Sequence, residues 1–190
     1  VTVGTAWGAI AGYVGGRVDA VMMRIIDAAL SVPRILVLIA ILVLWGAVPL
    51  PQLIVLLGLT GWFAVSRLVR AQVLSLREQD MVLAARALGA RDGEILRRHI
   101  LPNVLSPVIV AATLGIANLI VVEAGLSYLG IGVRPPTPSW GNMIQDGAEL
   151  LASAWWVSFF PGIAMVITVM AFNLAGDGLR DALDPHQVDG

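Results

Sequence analysis

Few side chains in this 190-residue sequence could make or break a covalent bond. Cysteine is absent, which removes thiolate nucleophiles, thiolate metal sites and disulfides. His99 and His186 stand alone without ligand spacing; they read as a helix end and a tail residue, and no metal site is assigned. Neither H-E-x-x-H nor G-x-S-x-G occurs. All twelve basic residues are Arg, and a phosphate-binding P-loop needs its Lys, so this sequence holds no such ATPase motif. What remains is charge suited to recognition. Residues 80–102, D-M-V-L-A-A-R-A-L-G-A-R-D-G-E-I-L-R-R-H-I-L-P, carry seven of the 25 charged side chains and lie between long uncharged runs.

The elements that position this island follow from its spacing. Met81, Ala84, Ala85 and Leu88 recur at i, i+3, i+4 and i+7, one apolar face of a short helix. Gly89 suits the left-handed residue that ends it. Asp92 is expected to cap a second helix, with Glu94 in its first turn and Arg97, Arg98 and His99 in its last, each complementing the dipole. Pro102 marks where that helix gives way to the next one. A helix–Gly–helix hairpin with small residues at its tip is either a docking surface, approached closely by another protein's groove, or an amphipathic connector.

The surrounding sequence is that of a membrane protein. It is 58% hydrophobic and 13% charged, with mean hydropathy +0.86, beyond what a soluble domain carries. Residues 35–66, 103–122 and 150–176 contain no charge. A span needs about 20 apolar residues, and Pro49-Leu50-Pro51 divides the longest run in two. Five spans are expected, at about 1–16, 30–48, 52–70, 103–125 and 150–175, with one polar loop at 77–102 and another at 131–149. Placing 17–34, 67–102 and the tail 177–190 on the cytoplasmic side puts eleven Arg there and only Arg134 outside. The C-terminus is then cytoplasmic. Val1 opens inside an apolar segment without a basic n-region, so at least one further span is expected to precede it. The net charge of −1 gives no reason to expect a nucleic-acid partner.

Four further features stand out. Gly4, Gly8, Gly12 and Gly16 form one helical stripe that permits close helix approach, either within the subunit or to a second one. In segment 17–34, at the inner interface, Arg24 and Asp27 are spaced to pair. Glu123 is the one acidic residue within an expected span, and such residues face a cavity or a buried partner. It is read either as lining a translocation pathway, with Asn118 beside it, or as one member of a buried pair. In the Pro-rich outer loop, Ser139 is expected to cap a short helix through Glu149. Trp140 is either an interface anchor or a contact for a docked partner.

Several of these residues fall in longer motifs. Ala84-Ala85, Gly89 and Leu101-Pro102 resemble the EAA loop of the membrane subunits of type I ABC importers. G-Y-x-G-G at 12–16, G-W-x-x-x-x-R-L-V-R-A-Q-V-L-S-L-R-E at 61–78, A-A-R-A-L-G-A at 84–90, R-H-I-L-P-N at 98–103, P-P-T-P-S-W-G at 135–141 and A-F-N-L-A-G-D-G-L-R-D-A-L-D-P at 171–185 resemble the dipeptide/oligopeptide/nickel permease subfamily, specifically its C-type partner. The resemblance spans nearly the whole chain. It implies an all-α, MetI-like helical bundle in a bacterial or archaeal cytoplasmic membrane. It also implies a heterodimer with a second permease, two P-loop ATPase subunits that bind ATP and Mg, and an extracytoplasmic substrate-binding protein docked near Pro136, Ser139 and Trp140. No cofactor is expected in this chain and no catalysis of its own. The ATPase-coupling residues implied are Leu83, Ala84, Ala85, Arg86, Leu88, Gly89, Ala90, Asp92, Leu101 and Pro102. Leu83 stands where the loop's eponymous Glu is expected, which implies coupling through small-residue fit and nearby Arg.

A secondary transporter or channel is the main alternative. Such proteins usually show internal repeats or several intramembrane ionisable groups; this sequence shows Glu123 alone. A non-transporting scaffold and an intramembrane enzyme are weaker readings.

Overall fold

A computed structural model describes residues 1–46 and 48–183; His186 and the end of the 171–185 motif lie outside them. The described residues form helices joined by turns and loops, without strands. In chain order the helices are α1 (Thr2–Val14), α2 (Gly16–Leu30), α3 (Arg34–Trp45), α4 (Leu50–Gly61), α5 (Phe63–Leu76), α6 (Asp80–Ala87), α7 (Asp92–Ile95), a π-helical turn (Leu96–Ile100), α8 (Leu101–Tyr128), α9 (Trp140–Ala148), α10 (Leu151–Ala154) and α11 (Trp156–Leu183). Among them, Leu50–Leu76, Asp92–Tyr128 and Trp156–Leu183 are long and apolar enough to cross a membrane, and α2 with α3 passes as a pair. α1 has 13 residues, about 20 Å at 1.5 Å each.

Two helix ends differ from the sequence expectation. The turn after α3 is made by Gly46, at φ 74°, whose N–H donates to the Leu42 carbonyl. Pro51 falls in the first turn of α4, where its missing N–H costs nothing. Pro102 likewise does not separate two helices. α7 runs through the π turn into α8, and Pro102 is the second residue of α8. A proline there cannot donate to the Arg98 carbonyl, and the ladder resets to i→i+5 just before it. The Asn103 amide donates to the neighbouring His99 carbonyl at 2.6 Å.

The residues form two compact units. The first holds Val1–Ser31, Gly61–Ala112 and the residues from Leu179. Here α1 lies against α5 along the glycine stripe. A Cβ at Gly4 would meet the Trp62 carbonyl oxygen at 2.5 Å, one at Gly12 would meet the Arg70 carbonyl at 2.9 Å, and one at Gly8 would press closer still on the Ser66 carbonyl. These three glycines therefore serve packing inside the subunit. Gly16 departs from the expected stripe: it has φ 56°, begins α2 and has nothing near its Cβ position. Polar bonds lock the pair. Arg70 grips Asp19 with two nitrogens, the Nη2–Oδ2 distance being 2.5 Å. Arg77 donates to the Gly12 carbonyl at 3.2 Å, near the negative end of α1. Asp27 pairs with Arg67 and not with Arg24, because α2 turns this carboxylate toward α5.

The second unit holds Val32–Thr60 and Thr113–Gly178. Leu38, Leu42, Leu53, Leu56 and Leu57 of the α3–α4 hairpin pack with Leu126 and Val133. Arg34 closes the hairpin by donating to the Leu57 carbonyl at 2.8 Å and to Thr60 Oγ1 at 3.1 Å. After α8, Gly130 at φ 75° reverses the chain, and the N–H groups of Ile131 and Gly132 return to the Leu126 carbonyl. Ser127, fully buried, anchors this loop: its hydroxyl donates to Glu123 Oε1 at 2.6 Å and accepts from Val133 N–H at 2.9 Å. Asn142 Nδ2 holds the other side of Val133 through its carbonyl at 2.7 Å.

Two outcomes test this packing. Gly8→Leu should destabilise by about 1–3 kcal/mol or more through overpacking, seen as a lowered unfolding midpoint in detergent. Gly58→Ala, at a helical glycine with open space around it, should leave the midpoint unchanged; equal midpoints for both variants would contradict the α1–α5 contact. Ser127→Ala strands the buried Val133 N–H and should cost about 1–3 kcal/mol, read as faster proteolysis within residues 129–139. Unchanged cleavage would remove Ser127 from its anchoring role.

Candidate functional site

α6 ends in a Schellman turn. Gly89, at φ 83°, donates to the Arg86 carbonyl at 3.0 Å, and Ala90 N–H reaches back to the Ala85 carbonyl at 3.1 Å. The left-handed residue expected at Gly89 is therefore present. The turn leaves Leu88 at 89% exposure. Met81, Ala84, Ala85, Leu88, Gly89 and Ala90 line one groove of about 580 Å³, with Glu94 and His99 at its polar edge. The expected face of α6 is thus real, and it is open. Leu83 and Arg86 are exposed beside it.

The groove stands on a rigid base that the periodicity of α6 did not reveal. Val82, Ile95 and Ile100 are all fully buried. They join Val69 and Val73 of α5, Ala9 of α1, and Val104 and Val108 in one core, with Leu101 packed against it. Asp92 corrects a second expectation. The residue before α7 is Arg91, in extended conformation, and Asp92 makes no capping bond. As the first helical residue its side chain turns outward and accepts from the Tyr13 hydroxyl at 2.7 Å. The island is consequently bonded to the end of α1, across 79 residues of sequence. Arg98 pairs with Glu94 one turn earlier at 2.7 Å. Such a pair contributes little to stability at the surface; its Glu94 lines the groove and its Arg98 lies outside the lining. Pro102 is exposed and outside the groove.

A second cavity, of about 500 Å³, lies in the other unit. It is lined by Glu123, Ser139 and Trp140 with Leu50, Val133, Thr137, Pro138 and Met143. Three residues singled out separately in the sequence therefore share one wall. Ser139 caps α9 as expected: its Oγ accepts from Asn142 N–H at 3.2 Å, and Glu149 is the C-cap. Asn118 does not join them. It is exposed, and five residues before Glu123 it lies about 140° away around the helix. Pro136 is exposed in the loop and lines no part of the cavity. Glu123 is half-buried with Ser127 as its hydrogen-bond donor. A carboxylate in a largely apolar wall, with the hydroxyl residues Thr137 and Ser139 beside it, can receive a cationic or hydrogen-bonding solute.

Of the residues the sequence reading missed, Ser127 had a findable signal, since it stands four residues after Glu123 on one helix. Tyr13 had none, because its partner is fixed only by tertiary packing.

Residues 4–188 match the family described as binding-protein-dependent transport system inner membrane component. The chain is 44% identical over 184 residues to the dipeptide transport system permease protein DppC of Bacillus subtilis (strain 168), covering 96% of this chain and 57% of that protein. It is 44% identical over 187 residues to the oligopeptide transport system permease protein OppC of the same organism, covering 96% and 60%. It is 41% identical over 185 residues to the OppC protein of Haemophilus influenzae (strain ATCC 51907 / DSM 11121 / KW20 / Rd), covering 97% and 59%. The chain thus spans less than two thirds of the length of these relatives. With a match over nearly all of its length and several helices apolar enough to cross a bilayer, the chain belongs to the inner membrane component family of binding-protein-dependent transport systems, a MetI-like, multi-pass permease fold.

Proposed function

We propose that this chain forms half of the translocation pathway of an ATP-driven importer for di- or oligopeptides or related small solutes. It would pair with a second permease and take its energy from two separate P-loop ATPase subunits that bind ATP and Mg. An extracytoplasmic binding protein would deliver the cargo. Names of relatives as dipeptide and oligopeptide permeases support the cargo class. The distribution of Arg supports an orientation with the island and C-terminus in the cytoplasm.

One observation supports the coupling role above the others: an exposed Leu88 on a Schellman-closed turn, beside an open small-residue groove, on a base whose side chains are fully buried. A connector has no need of that combination. Small side chains at Ala84, Ala85 and Gly89 admit a partner's surface closely, and Leu88 is free to fill an apolar hole in it. Burying that side chain is worth about 1.5–3 kcal/mol, or roughly ten- to hundredfold in docking. The absence of Glu at Leu83 fits a contact built on shape.

In the second unit, the cavity holding Glu123, Ser139 and Trp140 is suited to the entry of solute. The Ser127 anchor and the Asn142 bond to Val133 hold its loop wall in place.

In the assembled transporter, Leu88→Asp should leave membrane insertion and the unfolding midpoint unchanged, since an exposed side chain contributes little to folding. Cargo-stimulated ATP hydrolysis and uptake should fall at least tenfold. Gly89→Trp, which adds bulk and strains a turn held at φ 83°, should still insert in the membrane and likewise uncouple hydrolysis from uptake. Uptake at the unsubstituted level with either change would remove the island from the coupling role.

A further inference from the structure

We propose that the outward face of α2 is a binding site for an anionic phospholipid, its headgroup held by Arg17 and Arg24 and an acyl chain laid in the groove beside them. α2 buries one side only: Ile26 is fully buried, and Asp19 and Asp27 turn toward α5. The other side shows Val18, Val21 and Ile25, the last two 62% and 50% exposed. Ala20, Val21, Arg24, Ile25 and Ala28 line a groove of about 480 Å³ along it.

Charge selects the occupant. The two carboxylates of α2 are each neutralised by an arginine of α5, Arg70 for Asp19 and Arg67 for Asp27. Arg17 and Arg24 form no ion pair among the described residues. They stand seven residues apart, two turns, on one edge of the apolar strip. An apolar strip edged by unpaired cations is the composition of a helix lying in the headgroup region, with the guanidiniums reaching toward phosphate. By contrast, the charges nearest the exposed Phe160, Ile167 and Leu174 of α11 are the carboxylates of Asp177 and Asp181, which give an anionic headgroup no partner. The site rests on the membrane embedding of the family and not on the proposed link to ATP.

The test uses the full-length permease in its assembled complex, in nanodiscs of phosphatidylcholine with or without phosphatidylglycerol. Retained phosphatidylglycerol is counted by native mass spectrometry. Arg17→Gln with Arg24→Gln should cut retention by about fivefold per guanidinium, and Arg17→Lys with Arg24→Lys should restore most of it. A photo-crosslinker at Val21 should capture lipid. Excess glycerol phosphate should leave the lipid bound, because the groove also holds its chain. Equal retention by the Gln variant, displacement by glycerol phosphate, or a Val21 crosslink to a protein subunit would each overturn the proposal. Because the complex is assayed intact and no transport is measured, failure here leaves the importer reading untouched.

Discussion

The close approach of α1 to α5 is the constraint on which the first unit depends. Three glycines remove the side chains that would hold the backbones apart, and the carbonyls of Trp62, Ser66 and Arg70 fill that space. Once the helices touch, the Asp19–Arg70 pair and the Arg77 bond to Gly12 fall into reach. The same approach brings Tyr13, at the end of α1, to Asp92 in the island. Packing comes first and the polar bonds follow from it; without the glycines none of those partners would meet.

That order explains why the island behaves as part of a rigid body. A free amphipathic hairpin would bend at Gly89. Here Val82, Ile95 and Ile100 are sunk in a core shared with α1 and α5, and α7 continues through the π turn into α8. A displacement applied at Leu88 is therefore carried into packed helices, since close-packed interiors have little slack to absorb it. Within α6, Val82 is sunk in the core with Ala85 packed against it, while Met81, Ala84 and Leu88 are exposed along the groove.

Much of this was legible in the residues. The apolar spacing of α6, the left-handed Gly89, the Ser139 cap and the glycine stripe at 4, 8 and 12 all rest on local rules of three or four residues. So does the all-helical character, which follows from long uncharged runs. The misses share a physical cause as well. Asp92 has the composition of a helix cap, but Tyr13 takes its carboxylate. Asp27 has Arg24 at pairing distance in sequence, yet α5 presents Arg67. Pro102 looks like a helix boundary, and a π turn accommodates it instead. In each case a partner far along the chain, or a backbone adjustment, outcompetes the local choice. Asn118 lies off the Glu123 wall for a simpler reason: five residues is not a whole number of helical turns.

The role of Leu88 is the centre of this account, and one measurement reaches it directly. Residues 1–190 contain no cysteine, so Leu88→Cys, in a complex whose other cysteines are replaced, gives a single attachment point for a benzophenone crosslinker in the membrane. Irradiation is predicted to yield one major adduct, to the ATPase subunit, with a yield that changes when ATP is added. Adducts confined to lipid or to the permease itself, with no ATPase captured in either nucleotide condition, would contradict the account.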